Sequence, residues 1–352
     1  MRPFSKDRRP APRPDRAVDR PGFGRRLPAR ICEIKRHGEG KAGGPDLKSP
    51  AGPPGFTQGE IDAFRESGRI SARARDWAAG AVKPGALLRT IQEGVEDLIR
   101  EAGAMPSFPA QTSVNEIAAH YCSSPTDRTV FKENDLVKID VGAHVDGYPT
   151  DTGVTVDLSG DGRWARLIGA ASSALDAGIA CLRDGVHTGE VGNVIEGAIK
   201  RAGFRSISNL TGHGLARWSL HATLQIPNVA QKGGPQLRAG MVFAIEPFAT
   251  TGTGLVTDKG KAEVFSQAGD LPPAGACDAE LLQAIRRWRG LPVARRYFRE
   301  IPRNPFERCL RDLVKKEVLF SYSPLVEISG APVAWKEHSI YLSDSGPQVL
   351  TA

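Results

Sequence analysis

The stretch Lys138–Val156, KIDVGAHVDGYPTDTGVTV, decides how the chain is read. Its Asp146-Gly147 pair is the strongest two-residue turn signal in the sequence, because both residue types accept the positive φ that a tight hairpin needs. If that pair is the whole loop, Val145 faces Tyr148, and the same register carried outward sets Asp151 opposite Gly142. Side chains alternate along a strand, so Asp140 shares the face of Gly142, and Asp140 and Asp151 project from one side on diagonal positions. Two like charges so placed in a half-buried sheet repel unless something positive lies between them. The hairpin alone fits two readings, a pair of metal ligands or two solvent-facing residues on an open sheet. Pro149, which cannot donate to a ladder, fits best at an edge or a bulge.

Outward from the hairpin, four more acidic or imidazole positions interrupt apolar segments. Asn209-Leu210-Thr211-Gly212-His213-Gly214 sets a histidine between two glycines, which allow close backbone approach. Leu220-His221-Ala222 places a second histidine in an apolar setting. Met241-Val242-Phe243-Ala244-Ile245-Glu246-Pro247 ends an apolar strand in a glutamate, and Glu337-His338 separates Val333-Ala334-Trp335 from Ile340-Tyr341-Leu342. A lone histidine of this kind is usually a satisfied core residue, and either glutamate could sit exposed at a sheet edge. Taken together, an oxygen-rich set with one imidazole suits divalent ions, and enough carboxylates to bridge suit two ions.

The 352 residues allow one large domain or two ordinary ones, and 40% hydrophobic with 25% charged residues is a soluble globular composition. No apolar run approaches the roughly 18 residues that span a bilayer. The expectation is a cytoplasmic protein without a signal peptide and without membrane attachment. Five scattered cysteines (Cys32, Cys122, Cys181, Cys277 and Cys309) with no Cys-x-x-Cys pair favour a reducing compartment over a zinc ribbon or a disulfide framework. Residues 1–55 hold 14 Lys+Arg against 6 Asp+Glu, a net +8, while the remaining 297 hold 33 against 34. That segment also has 10 of the 26 prolines. It is read as a disordered basic extension, a solvated tail or an arm for RNA or the ribosome.

Thr57-Gln58-Gly59-Glu60 has capping-box spacing and opens the folded part near Phe56, ahead of a helical run to about Val82. A second amphipathic helix follows, with Leu87, Ile91, Val95, Leu98 and Ile99 along one side. Two more helical runs cover about 164–182 and 189–202, short strands cover about 207–265, and helical periodicity returns over about 277–319. Helices and antiparallel strands in mixed order predict an α+β fold.

The order Asp140, Asp151, His213 in Gly-His-Gly, Glu246 in Ile-Glu-Pro-Phe-Ala-Thr-Thr-Gly, and Glu337 in Glu-His-Ser resembles the five-ligand signature of the methionine aminopeptidases. Phe108-Pro109-Ala110, Asn115-Glu116-Ile117-Ala118-Ala119-His120-Tyr121, and Leu220-His221-Ala222 with Ile226-Pro227-Asn228 extend the resemblance from about residue 60 to the C-terminus. It implies the pita-bread fold, a pseudo-twofold α+β arrangement around a curved antiparallel sheet. The 90 residues between Glu246 and Glu337 resemble the helical insert of the type II enzymes, placed at about 272–330, and the short N-terminal region is similar to the archaeal form.

By this resemblance Asp140 chelates one divalent metal (Co, Mn, Fe or Zn), Asp151 and Glu337 bridge two, and His213 and Glu246 complete the second. The implied activity is removal of the initiator methionine from nascent polypeptides by water activated between the metals, in a monomer, with Glu246 moving protons. His120 matches the histidine that contacts the scissile amide and His221 the one that stabilises the intermediate. Phe108, Leu220, Phe248 and Tyr322 fall where the family lines its methionine pocket. Two other readings share the fold: an aminopeptidase P or prolidase, which carries an arginine where Gly153 follows Thr152, and a non-catalytic scaffold, which typically loses ligands. Where the family has Gln-Phe before its last metal glutamate, this chain has Trp335-Lys336; by alternation Trp335 shares the face of Glu337 and Lys336 points away.

Overall fold

The computed structural model describes residues 55–352 apart from 274, 276 and 300–302. The basic segment 1–54 lies outside the described residues. Helix α1 (Gln58–Ala81) opens on Thr57, whose hydroxyl accepts from the Glu60 amide at 3.4 Å while the Glu60 carboxylate accepts from the Thr57 amide at 2.8 Å. Both halves of the capping box are therefore present, a device worth about 1 kcal/mol. The inner face of α1 is small and polar as well as apolar. Ser67 Oγ accepts from the Val145 amide at 3.0 Å and donates to the Tyr148 carbonyl at 2.8 Å, and Ser71 Oγ accepts from the Ala143 amide at 2.8 Å. The helix thus satisfies backbone groups of the hairpin that no neighbouring strand reaches, and it fixes where the hairpin lies.

Helix α2 (Leu88–Glu101) buries Leu88, Ile91, Val95 and Ile99. The stripe expected to begin at Leu87 begins one residue later, because Leu87 is the N-cap. Helices α3 (Ala165–Ala180) and α4 (Thr188–Arg201) repeat this arrangement in the second half, and α4 follows α2 at an offset of 100 residues. Gly85 (φ 86°) and Gly185 (φ 81°) make the same left-handed turn before α2 and α4, and their amides donate to Phe131 and Leu237 carbonyls, each at 2.8 Å. A residue with a Cβ resists that φ, so the two glycines are equivalent in role. This recurrence is the pseudo-twofold relation expected of the fold.

Between the helix pairs run antiparallel sheets. One orders Gln111–Val114, Leu136–Val141 and Thr152–Asp157; a second orders Ser219–Pro227, Thr211–Ala216, Val242–Ile245, His338–Ser343 and Gly346–Val349. A third joins Val333–Trp335 to Phe248–Thr250 and Arg205–Ser206. One apolar core packs α1 and α2 on the first sheet, through Ile91, Val95, Val137 and Ile139. Another packs α3 and α4 on the second, through Leu175, Ile195, Phe243 and Ile245.

The segment expected to form an insert has its own core. Helices α5 (Ala279–Trp288) and α6 (Arg303–Lys315) bury Leu281, Leu282, Ile285, Leu310 and Leu313 against Phe265 and Leu319. The cysteine expectation is corrected here: Cys277 and Cys309 form a disulfide, with Cα atoms 5.5 Å apart. Thirty-two residues of separation carried no sign of the pairing, because it depends on the start of α5 lying beside α6. Cys122 and Cys181 are free.

Glu327 shows how polar atoms stabilise the irregular segments nearby. It is 1% exposed and accepts from the amide and hydroxyl of Thr253, both at 2.5 Å, from the amide and hydroxyl of Ser329 at 2.7 and 2.5 Å, and from the Ala331 amide at 3.2 Å. Burial alone would push this acid up, but the hydrogen bonds from Ser329, Thr253 and Ala331 outweigh it and hold its pKa at about 2. A depressed pKa contributes stability above the unfolded value near 4.5, and that contribution is lost as pH falls towards 2. Glu327→Gln is expected to lower unfolding free energy by roughly 3 kcal/mol at pH 7 and to flatten the acid limb between about pH 5 and 2, as read by thermal denaturation.

Candidate metal centre

The hairpin has the register expected of it. Val145 pairs with Tyr148 and His144 with Pro149, and beyond a break the same register resumes with Val141 opposite Thr152 and Asp140 opposite Gly153. The break falls at Gly142, where an added Cβ would lie 2.2 Å from Ser107 Oγ and 2.5 Å from the Thr150 carbonyl. Pro149 ends the short outer ladder just before it, where no inter-strand donor is needed. Asp151 follows in the interruption, its backbone held by Ser339, whose hydroxyl accepts from the Asp151 amide and donates to its carbonyl, each at 2.8 Å.

The two glutamates sit at a second interruption. Ile245 pairs with His338 and Phe248 with Trp335, so Glu246 and Glu337 stand opposite one another where the ladder is broken. Asn228 spans this break, its amide donating to the Leu210 and Glu246 carbonyls at 3.0 Å each. Glu337 is 2% exposed, which excludes the sheet-edge reading for it. Across the site, His213 Nδ1 faces the Gly214 carbonyl at 3.4 Å, leaving Nε2 3.5 Å from Asp151 Oδ2 and 3.7 Å from Glu246 Oε1. One potential ligand atom from each of Asp151, His213 and Glu337 lies within 4.8 Å of the others. Asp151 is the hub, close enough to Asp140, His213 and Glu337 to perturb the titration of each.

These groups disturb one another strongly. Asp140 and Glu337 are held well above the usual carboxylate range, first by burial and then by the negative charge of Asp151. Glu246 is pushed up to about 8 by burial, with His213 opposing and Asp151 adding to the shift. Burial drives His213 down, but Asp151 and Glu246 outweigh it and the net shift is upward. Asp140 Oδ1, Asp151 Oδ1 and Glu337 Oε1 are buried without a hydrogen-bond partner. Orphaned carboxylate oxygens cost free energy unless a cation meets them. The donor set, four carboxylates and one imidazole, fits divalent ions.

Beside this cluster the rings of His213 and His221 lie 4.5 Å apart, and Tyr322 stands 5.9 Å from His221 and 5.3 Å from His120. His120 has a positive φ of 68°, and its Nδ1 lies 3.3 Å from the Ser323 carbonyl. A carbonyl only accepts, so Nδ1 carries the proton and Nε2 keeps its lone pair. Burial lowers the His120 pKa to about 4. Burial and the neighbouring charges of His213 and His120 place His221 well below its ordinary value, so both auxiliary rings are neutral at pH 7. Phe108 and Leu220 share one apolar cluster, whereas Phe248 packs in another with Trp335. Lys336 points away, as alternation requires, and donates to Ser172 Oγ at 3.1 Å.

Sequence reasoning assigned no role to Ser339, Asn228, Thr155 or Arg75. Arg75 is buried and donates to Thr152 Oγ1 at 2.8 Å and the Thr351 carbonyl at 2.7 Å, and Thr152 Oγ1 donates to the Glu337 carbonyl at 3.0 Å. Only Asn228, a polar residue closing an apolar run, carried a local signal.

Among the described residues no helix is long and apolar enough to cross a membrane. Residues 62–275 match the sequence profile of metallopeptidase family M24. The methionine aminopeptidase of Methanothermobacter thermautotrophicus is 40% identical over 294 residues, covering 83% of this chain and 98% of its own. That of Archaeoglobus fulgidus is 41% identical over 287 residues, covering 81% and 96%. The crystal structure of the Thermotoga maritima methionine aminopeptidase superposes with a TM-score of 0.62 at 24% identity, covering 84% of this chain and 98% of that one, and shares the pita-bread fold. Dependence on divalent metal ions comes with this kinship, and the donor set above fits it. Sequence profile, curated relatives and fold agree: the chain belongs to metallopeptidase family M24, among the methionine aminopeptidases.

Proposed function

We propose that the chain removes the initiator methionine from the N-terminus of nascent polypeptides and peptides. The observation that carries this reading is the buried group of Asp151, His213 and Glu337, with Glu246 3.7 Å from His213, Asp140 close enough to Asp151 to be perturbed by it, and three orphaned carboxylate oxygens among them. These five residues hold the metals in this reading, with Asp151 central because it perturbs each of the others. Bound there, divalent metals supply a water nucleophile at neutral pH and a Lewis acid for the developing oxyanion.

The remaining steps belong to the chain's own side chains. His120, neutral and with its Nδ1 proton directed at Ser323, offers Nε2 as an acceptor for the N–H of the scissile amide. His221, also neutral, can donate to charge building on the carbonyl oxygen. Glu246, which holds a metal in this reading and has a second carboxylate oxygen, is the candidate to take a proton and pass it to the departing amine. Phe108, Leu220, Phe248 and Tyr322 form the apolar slot for the methionine side chain, whose flexible thioether suits such a lining.

The test is initial-rate hydrolysis of Met-Ala-Ser and of an Xaa-Pro peptide with Co, Mn, Fe and Zn in turn. Metal-dependent cleavage of Met-Ala-Ser alone is expected; cleavage of the Xaa-Pro peptide alone would transfer the chain to the prolidase-like activity. Removal of residues 1–55 is expected to leave Met-Ala-Ser turnover unchanged, since every residue of the proposed site lies at Phe108 or beyond. The same deletion is expected to weaken co-sedimentation with ribosomes if the basic segment is a docking arm.

A further inference from the structure

Trp335 is 4% exposed and two residues from Glu337. Its ring stacks on Phe248, with centroids 5.7 Å apart and planes inclined by 15°, and the two residues are direct cross-strand partners. Thr155 clamps the Trp335 backbone, its hydroxyl donating to the carbonyl at 2.6 Å and accepting from the amide at 2.9 Å. The six-membered edge of the indole lies against Gly153. A Cβ built there would fall 1.8 Å from Cη2, 2.2 Å from Cζ3 and 2.5 Å from Cζ2. No side chain at position 153 fits while the indole holds its place.

The location of Gly153 gives that contact its meaning. It stands directly opposite Asp140 in the ladder and two residues from Asp151, so a Cβ there would share their face. Its amide and carbonyl exchange hydrogen bonds with the Glu337 backbone at 3.3 and 3.1 Å. The indole therefore occupies the surface between Asp140 and Glu337 that a larger residue at 153 would fill. Its Nε1 is buried with no acceptor, so packing rather than hydrogen bonding fixes the ring.

We propose that Trp335, seated on Gly153, is a specificity-determining residue: it backs Phe248 to set the depth of the slot for the substrate's first side chain, and it walls Asp140 and Glu337 from solvent. This rests on the function proposed above. Trp335→Ala is expected to lower kcat/KM for Met-Ala-Ser about 10-fold, mainly through KM, and to narrow the preference for Met over a bulkier first residue such as Phe by a similar factor. Trp335→Phe keeps a ring on Phe248 and is expected to retain most of that preference.

The Gly153 contact supplies a test that does not depend on turnover. Gly153→Ala is expected to lower Tm by roughly 5 °C or more with Trp335 present and to have little effect alongside Trp335→Ala. Cobalt added to metal-free protein is expected to quench tryptophan emission, and Trp335→Phe to lose that response. Equal effects of Gly153→Ala in both backgrounds, a cobalt response unchanged in Trp335→Phe, or a selectivity unchanged in Trp335→Ala would each overturn the proposal. A wild-type protein that cleaves no methionyl peptide would overturn the function instead, while the stability cycle and the fluorescence still decide whether Trp335 and Gly153 act as a pair beside the carboxylates.

Discussion

Asp151→Asn is expected to abolish metal-dependent turnover while making the metal-free protein more stable. Asp151 perturbs Asp140, His213, Glu246 and Glu337 alike, so its carboxylate is the one neighbour common to the other four. Removing an outer hydrogen-bond partner of a metal site costs roughly 10- to 100-fold, and losing a carboxylate proposed to hold the metals is expected to cost more than about 100-fold in kcat/KM. Stability should move the other way. Without metal, Asp140 and Glu337 are raised well above their ordinary pKa, by burial and then by the charge of Asp151. Asparagine at 151 removes that charge with little change of shape. A rise in Tm of the chelated protein, together with lost metal binding by calorimetry, separates this account from simple unfolding.

The second large effect lies at Arg296, in the segment between helices α5 and α6. Arg296 is 4% exposed, and its guanidinium bonds the buried Glu96 of α2 and the Cys122 sulfur, two residues beyond His120. Glu96 also accepts from the Ala110 amide at 3.1 Å, next to the Phe108-Pro109-Ala110 segment. Burial pushes the Glu96 carboxyl up and the charge of Arg296 opposes it. Arg296→Met leaves Glu96 without its cation and is expected to cost about 3–5 kcal/mol by chemical denaturation. Replacing both with apolar residues of similar volume is expected to recover most of that loss. Because Arg296 holds Cys122, two residues beyond His120, and Glu96, which in turn holds Ala110, two residues beyond Phe108, the single variant is also expected to raise KM for methionyl peptides.

Much of this architecture was legible in the sequence because its determinants are local. Asp146-Gly147 fixed the hairpin register over the whole length from Leu136 to Asp157, since a two-residue turn leaves no freedom to slip. Thr57 and Glu60 marked the start of α1, and the apolar period marked α2 to within one residue. The placement of Asp140 with Asp151 followed from alternation. What could not be read was set by distant contacts. The disulfide depends on two insert helices meeting, and the polar struts Ser67, Ser71, Arg75 and Ser339 join elements far apart in the chain. The recurrence at 100 residues was present in the sequence as paired glycines at 85 and 185, but its period is too long for a search directed at short repeats. In the sequence Gly153 stands out only by lacking the arginine found in prolidases; its physical reason is the indole lying over it.

The central claim is that five residues hold divalent metals for removal of an N-terminal methionine, and one measurement tests it most directly. Chelator-treated protein is reconstituted with each divalent ion, the bound metal is counted, and initial rates on Met-Ala-Ser are recorded for the wild type and for Asp151→Asn side by side. The account predicts bound metal and methionine release that rise together in the wild type and are both lost in the variant. Turnover that persists in Asp151→Asn, or reconstituted wild type that binds no metal and releases no methionine, would contradict it.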